Sequence, residues 1–187
     1  MDEDVVAALL HYARETIASA IAGGDPPRPE CTLTGLGCFV TIELAGRLRG
    51  CMGYTVFPGN LAECVRLSAL AAAFEDPRFP PLDTDELARC SIELTILSEP
   101  SRVEIEKLSN PERVIRIGTH GIMVTRGGRA GVLLPQVALE HSFDALEFLR
   151  ATCEKAGLEE DCWKKKGTQV FVFQGRVFRE VDGRSLS

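Results

Sequence analysis

The segment Leu48–Gly53 (LRGCMG) places a cysteine between two glycines and an arginine directly before the first of them, where a strand is predicted to begin. Glycine permits close approach of another backbone or of a ligand, so a cysteine between glycines can be accessible and held in a fixed direction. The alternative is a bulged strand in which Cys51 packs like a small apolar residue. The spacing alone leaves both interpretations open.

Length and composition favour a globular protein of one domain or two closely coupled subdomains over a string of modules. Its 187 residues are enough for a substantial core, and the hydrophobic fraction of 45% and charged fraction of 26% are ordinary. The formal net charge is -6, and the only dense basic run is Lys164–Lys166. A polyanion needs a broad basic surface, so binding of nucleic acid is not expected.

Cysteine usage and the N-terminal sequence favour a cytoplasmic protein. The seven cysteines are odd in number and form no CxxC pair, which is typical of neither a disulfide framework nor a common zinc module. The N-terminus has no basic segment followed by an apolar run, so it does not resemble a secretory signal. The most apolar stretch, Leu67–Phe74, is too short to cross a bilayer, and no membrane association is expected.

The first half of the chain is predicted to contain two helices with a hairpin between them. Apolar residues at helical spacing predict a helix that ends at Gly23-Gly24, followed by a connector at Asp25–Pro29. Gly37–Leu44 and the strand from Arg47 form a predicted hairpin with its turn at Ala45-Gly46. A second helix is predicted to begin after Asn60 and to end near Phe74, with five inward residues: Leu61, Cys64, Val65, Ser68 and Ala72.

The second half adds strands and short helices. Cys90–Leu97 alternates in the manner of a half-buried strand, with Glu93 on its polar face. Asn110-Pro111 predicts a helix start, Gly121–Leu134 a hairpin, and Pro135 and Ser142 two further helix starts. Thr168–Glu180 is predicted to be a final hairpin with its turn at Gln174-Gly175. This order favours an antiparallel α+β fold over a parallel sheet.

The LRGCMG segment closely resembles the LRGCIG signature of the AMMECR family, known in archaea and bacteria as protein A of the AmmeMemoRadiSam system. Met52 replaces the usual isoleucine with an apolar side chain of similar volume. The resemblance covers nearly the whole chain. Its other matching segments are Asp76–Phe79, Glu93–Leu97, Gly118–Gly121, Gly131–Gln136 and Cys153–Trp163.

The resemblance implies one AMMECR domain over residues 1–187, built from two unequal subdomains. Each would have an antiparallel sheet with flanking helices, and the signature would face a cleft between them. Both termini are expected in the larger subdomain, with the smaller one inserted. Memo-like and radical SAM proteins are the partners that the resemblance implies. It implies no established reaction or substrate.

The sharpest catalytic hypothesis joins Cys51, His120 and Glu93. If His120 takes the proton of the Cys51 thiol, the resulting thiolate is a nucleophile, with Arg49 or backbone amides stabilising negative charge. Glu93 would orient the imidazole or act as acid or base. A lone cysteine and a lone histidine also have ordinary structural explanations, and sequence separation does not choose between the two.

Five further residues are candidates for substrate binding, and each has a structural alternative: Arg49, Gly50, Gly53, Arg78 and Gln136. Arg49 is alternatively expected to pair with Glu93 or Asp76. Arg78 belongs to a segment that can end a helix and anchor a loop through Phe79. The amide of Gln136, after a proline, suits either a ligand or nearby backbone groups.

No metal or other cofactor is expected. Cys51 and His120 would need further ligands from distant residues, and the three histidines have no close carboxylate partner in the sequence. Two functions therefore remain open. One is a cleft that binds a substrate and uses Cys51 as a nucleophile; the other is a non-catalytic adaptor for Memo-like or radical SAM proteins.

Overall fold

The structure, a computed structural model, describes residues 3–24 and 29–180, which form two compact units. The first unit contains the chain up to Leu97 together with the segment from Arg176, and the second unit is Ser98–Gly175. Helices and antiparallel strands make up both, so the predicted α+β class is confirmed. The cleft and the predicted subdomain layout stay predictions. Residues 25–28, most of the predicted connector, lie outside the described residues.

The first unit is a sheet with helices packed against one face. The sheet order is β2-β1-β3, with antiparallel pairing throughout. Ala45 and Gly46 have φ angles of 52° and 71°, so the predicted turn between β1 and β2 is confirmed. The elements are α1 (Glu3–Ala22), β1 (Cys38–Leu44), β2 (Arg47–Tyr54), α2 (Leu61–Phe74), α3 (Thr84–Leu87) and β3 (Cys90–Leu97).

Helix α2 follows the sequence prediction closely. The side chain of Asn60 accepts a hydrogen bond from the amide of Ala62 at 2.7 Å, which caps the helix, and all five predicted inward residues are buried. Helix α1 is long and apolar enough to span a membrane, which the sequence interpretation overlooked. Its buried residues, among them Leu9 and Ile17, belong to the core of the first unit. Such burial is what a core helix shows.

The second unit is a small antiparallel sheet covered by helices. Strand β7 lies between β4 and β5, and β6 pairs with β5. Its hydrophobic core includes the fully buried side chains of Phe148, Leu149 and Ile122. Its elements are β4 (Ser101–Val103), β5 (His120–Arg126), β6 (Arg129–Leu133), α4 (Pro135–Glu140), α5 (Ala145–Lys155), the N-terminal part of β7 (Gln169–Arg179), and 3-10 helices at Ile105–Ser109, Pro111–Arg113 and Cys162–Lys164.

Two predicted elements of this region are wrong in detail. The final hairpin is instead the single strand β7, because Gln174 continues the ladder opposite His120 and does not turn. Ser142 does not cap α5; Asp144 does, in a reciprocal capping box with Glu147.

Two further differences concern the Asn110 helix and the cysteines. The helix predicted at Asn110 is only a 3-10 turn, without a side-chain cap. Cys153 is buried as expected, but it forms a disulfide with Cys162, which the cysteine pattern did not indicate. The two cysteines are nine positions apart, which is not a CxxC-type spacing, so only the fold brings them together.

Candidate functional site

Arg49 is the extra residue of a β-bulge. Ile42 of β1 lies opposite Gly50, whereas Glu43 lies opposite Leu48, so Arg49 has no partner in the ladder. Its side chain turns into the first unit and is only 9% exposed. The bulged strand considered from the sequence is therefore present, and it redirects the arginine.

The guanidinium of Arg49 is fully engaged by structural partners. Nε and Nη2 donate to the two carboxylate oxygens of Glu86 at 3.0 and 2.7 Å, and Nη2 also donates to the carbonyl of Pro80 at 2.9 Å. The expected pairing with Glu93 or Asp76 is wrong. The hydrogen bonds from Arg49 hold the pKa of Glu86 below its usual value, although burial opposes this shift. Arg49 thus fixes the segment before β3.

The glycines of the segment are explained by close packing. A Cβ atom on Gly50 would lie 2.1 Å from the carbonyl oxygen of Ala72 in α2. A Cβ atom on Gly53 would lie 2.2 Å from the carbonyl oxygen of Cys38 in β1. Neither site accepts a side chain without movement of backbone, so packing suffices to explain both glycines.

Cys51 is held by hydrogen bonds to its backbone and is a half-buried residue. Its amide donates to Oδ2 of Asp76 at 2.9 Å, and its carbonyl oxygen accepts a longer contact from Nη2 of Arg78 at 3.4 Å. The hydroxyl of Thr41 donates to Sγ at 3.3 Å. Since the sheet order makes β2 an edge strand, these side chains satisfy backbone groups that a further strand would otherwise pair.

A cross-strand row places Glu93 on the same sheet face as Cys51. Thr41 lies opposite Cys51 on one side and opposite Glu93 on the other, and directly opposed residues share a face. The neighbouring residues Val40 and Ile42 are completely buried, so the row occupies the face away from that core. We call Thr41, Cys51 and Glu93 the thiol row.

Glu93 has a charged partner at the end of this row. Its Oε2 accepts a hydrogen bond from Nε of Arg179 at 2.6 Å, and the carboxylate raises the pKa of that arginine. The arginine side chain is 71% exposed, so the pair is screened by water and holds Glu93 weakly.

Asp76 and Arg78 form an ion pair at the edge of β2. Arg78 donates to Asp76 through Nε at 2.9 Å and through Nη2 at 2.6 Å. These bonds hold the pKa of Asp76 well below its usual value, with further help from the Cys51 amide. The carboxylate is 2% exposed and the guanidinium 52% exposed, so the arginine remains reachable from solvent. Phe79 lies near the guanidiniums of Arg49 and Arg78, at 5.7 and 5.5 Å.

His120 begins β5 in the second unit and is nearly buried. Nδ1 lies 3.0 Å from the carbonyl oxygen of Val114 and accepts a hydrogen bond from the backbone amide of Arg116 at 3.2 Å. Nε2 lies 3.4 Å from the side-chain nitrogen of Gln174 and 3.5 Å from Nη2 of Arg116. Burial lowers the pKa of this imidazole, and the nearby Arg116 charge adds to the shift.

The predicted site residues therefore fall into two groups. Arg49, Gly50, Cys51, Gly53, Arg78 and Glu93 belong to the first unit, and His120 and Gln136 to the second. Gln136 is exposed in the first turn of α4. The structure brings Cys51, Arg78 and Glu93 to one region, while Arg49 is engaged elsewhere. The dyad of Cys51 with His120 stays a prediction.

Sequence reasoning missed three residues of this region: Thr41, Asp76 as the partner of Cys51, and Glu86. Thr41 had a usable signal, because it lies in register with Cys51 once the hairpin turn is placed. Glu86 had none, since a bulge and a loop bring it to Arg49. Among residues 3–24 and 29–180, no group of three or more His, Cys, Asp or Glu side chains is placed to hold a metal.

Comparisons with known proteins place this geometry in a family. The chain is 40% identical to a Methanosarcina mazei protein over 183 residues, covering 94% of this chain and 91% of that one. It is 43% identical to protein NEQ441 of Nanoarchaeum equitans over 179 residues, covering 92% and 98%. The crystal structure of uncharacterized protein PH0010 from Pyrococcus horikoshii matches with a TM-score of 0.73 at 34% identity, over 92% of this chain and 89% of that one. The AMMECR1 family model matches residues 10–178, and the chain belongs to the AMMECR1 family.

Proposed function

We propose that the protein binds a substrate on the thiol row of the first unit and that Cys51 attacks a carbonyl carbon of this substrate. One observation carries the proposal. Cys51 is half-buried, its sulfur accepts a hydrogen bond from the Thr41 hydroxyl, and its backbone is fixed by Asp76 and Arg78. A nucleophile needs this combination of access and fixed direction.

The chemistry follows from the groups around the sulfur. The thiol loses its proton, the sulfur bonds to an acyl carbon, and the leaving group departs with a proton. Both arginines bind a carboxylate, but Arg78, and not Arg49, is the cation suited to the developing negative charge, because its side chain is 52% exposed and that of Arg49 only 9%. Consistent with this placement, the Cys51 side chain contributes to raising the pKa of Arg78, after the larger effect of Asp76.

A proton acceptor is also required, and we assign this role to Glu93. It shares the sheet face of Cys51, and its salt bridge with Arg179 is exposed enough to exchange. His120 is the alternative acceptor, because a neutral imidazole has one ring nitrogen that can take up a proton. Glu93→Gln and His120→Gln variants distinguish the two, since only loss of the true base should slow the reaction of Cys51 near neutral pH.

Competitive alkylation tests the nucleophile. Cys31 and Cys51 are half-buried, whereas Cys38, Cys64 and Cys90 are buried, so Cys31 is an internal reference for Cys51 in the same sample. We expect iodoacetamide to modify Cys51 at least about tenfold faster than Cys31 near pH 7, read by peptide mass spectrometry. Equal rates would contradict the proposal.

A matched variant isolates the role of the Thr41 hydroxyl. Thr41→Val keeps a similar side-chain shape and removes the donor to Sγ. We expect slower alkylation of Cys51 with an unchanged rate at Cys31. If both rates match those of the parent protein, the hydroxyl does not assist the sulfur.

A non-catalytic adaptor for a Memo-like or radical SAM protein is the second candidate. It is favoured by three apolar side chains on and after the edge strand, Leu48, Tyr54 and Val56, which are 43%, 40% and 47% exposed. Binding of a purified Memo-like protein that survives Cys51→Ser but is lost in Leu48→Ser with Val56→Ser would support the adaptor. Loss of binding in Cys51→Ser alone would argue against it.

A further inference from the structure

The second unit contains an open basic cavity of about 430 Å³ that lies outside the thiol row. Four of its nine lining residues are cationic, and none of the nine is acidic: the cations are Arg102, Lys164, Lys165 and Lys166. This concentration contrasts with the net charge of -6 for the whole chain. A concave site lined by one sign of charge raises the local concentration of the opposite ion.

Two of the four cations are compensated and two are not. Lys164 pairs with Asp161 at 2.6 Å and Lys165 pairs with Glu159 at 3.4 Å. No ion pair among the described residues involves Arg102 or Lys166. The cavity therefore keeps about two uncompensated positive charges, which is enough for one dianionic group.

The floor of the cavity is rigid. Trp163 is 3% exposed and Thr168 is 4% exposed, and the Thr168 hydroxyl donates to the carbonyl of Cys162 at 2.6 Å. The disulfide from Cys162 to Cys153 ties this segment to α5. Gly167, at φ 86°, makes the turn that leads from the lysines back to the floor. The cations therefore project from a fixed base.

We propose that this cavity binds a small metabolite through a phosphate group. Its volume lies in the range of small-molecule sites, about 300–1,000 Å³, and is too small for a folded partner. Arg102 lies on the same face of the sheet as Gln169, because its ladder partner Phe171 is two residues from Gln169. Arg102 from β4 and Lys166 from the loop before β7 would contact the phosphate from two sides.

The sole tryptophan of the chain lines the cavity, so its fluorescence reports on binding directly. The full-length oxidised protein is titrated with inorganic pyrophosphate, with adenosine monophosphate and with adenosine. We expect saturable changes with the two phosphate compounds and none with adenosine. Arg102→Gln and Lys166→Gln should each weaken binding about tenfold, the loss expected for one charge-assisted hydrogen bond.

Lys155→Gln is the matched control, because Lys155 is an exposed lysine of the same unit outside the cavity lining. Its affinity should equal that of the parent protein, and circular dichroism should show all three variants folded. An equal response to adenosine would overturn the proposal, and so would equal weakening in Lys155→Gln. No saturable change at millimolar pyrophosphate or adenosine monophosphate would also overturn it. Binding of a short RNA without binding of adenosine monophosphate would also overturn it, since the surface would then serve a polymer.

Discussion

Replacing Gly50 by alanine would place a methyl carbon 2.1 Å from the carbonyl oxygen of Ala72. An ordinary carbon-to-oxygen contact is longer by about 1 Å, and the obstacle is helix backbone, which no rotamer change removes. Helix α2 must therefore move away from β2. Its buried face includes Leu61, Val65 and Ala69, each with no exposed surface, so the movement opens a packed core.

The expected loss for Gly50→Ala is about 3 kcal/mol, at the upper end of the range for overpacking. The unfolded alanine variant has a lower conformational entropy, which offsets this loss of stability by only about 0.4–1 kcal/mol. For a chain of this length we expect the melting temperature to fall by about 6–12 °C. Urea unfolding and thermal unfolding, both followed by circular dichroism, measure the two quantities.

Gly24→Ala is the matched control, because a Cβ atom there lies 4.0 Å from its nearest neighbour and the φ angle is not positive. Its stability should change by less than about 1 kcal/mol. If Gly50→Ala is as stable as the parent protein but loses the reactivity of Cys51, the glycine serves a ligand. The packing argument would then be wrong.

Three further predictions concern charged groups. Asp76→Asn should lower the free energy of unfolding by about 1.5–3 kcal/mol, because the nearly buried carboxylate binds Arg78. The stability of the parent protein should fall as the pH drops below about 4, where the unfolded state takes up the proton first. Urea unfolding at several pH values should show a weaker dependence of stability on pH in the variant. Arg49→Lys should cost about 1–2 kcal/mol in urea unfolding, since a lysine does not reproduce the bidentate bond to Glu86; an unchanged midpoint would refute this. Stability should also fall as the pH drops below about 6.5, because the unfolded state protonates His120 before the folded state does, and His120→Gln should remove this component from pH-dependent melting curves.

Local patterns predicted much of the first unit. The apolar spacing of α1 and α2, the turn at Ala45-Gly46 and the alternation around Glu93 are all confirmed, because each depends on neighbours within a few residues. The prediction of a final hairpin was wrong for the opposite reason. Gln174-Gly175 has turn composition, but pairing with a distant strand keeps it extended.

The candidate site was harder to predict, because its partners are remote in sequence. Arg49 was expected to bind Glu93 or Asp76, and it binds Glu86 because a one-residue bulge rotates its side chain away from the thiol row. The disulfide of Cys153 was missed for a different reason, since its partner nine positions away has no CxxC-type spacing. Residue type indicated which side chains carry chemistry, but tertiary geometry assigned their partners.

The last described residue has a consequence for synthesis on the ribosome. Glu180 binds Arg14 of the first helix at 2.5 Å and accepts a hydrogen bond from the amide of Ile92 at 2.9 Å. A nascent chain emerges from its N-terminus, so these bonds cannot form until Glu180 has left the exit tunnel. The first unit is therefore completed only after the whole of the second unit, Ser98–Gly175, has been synthesised.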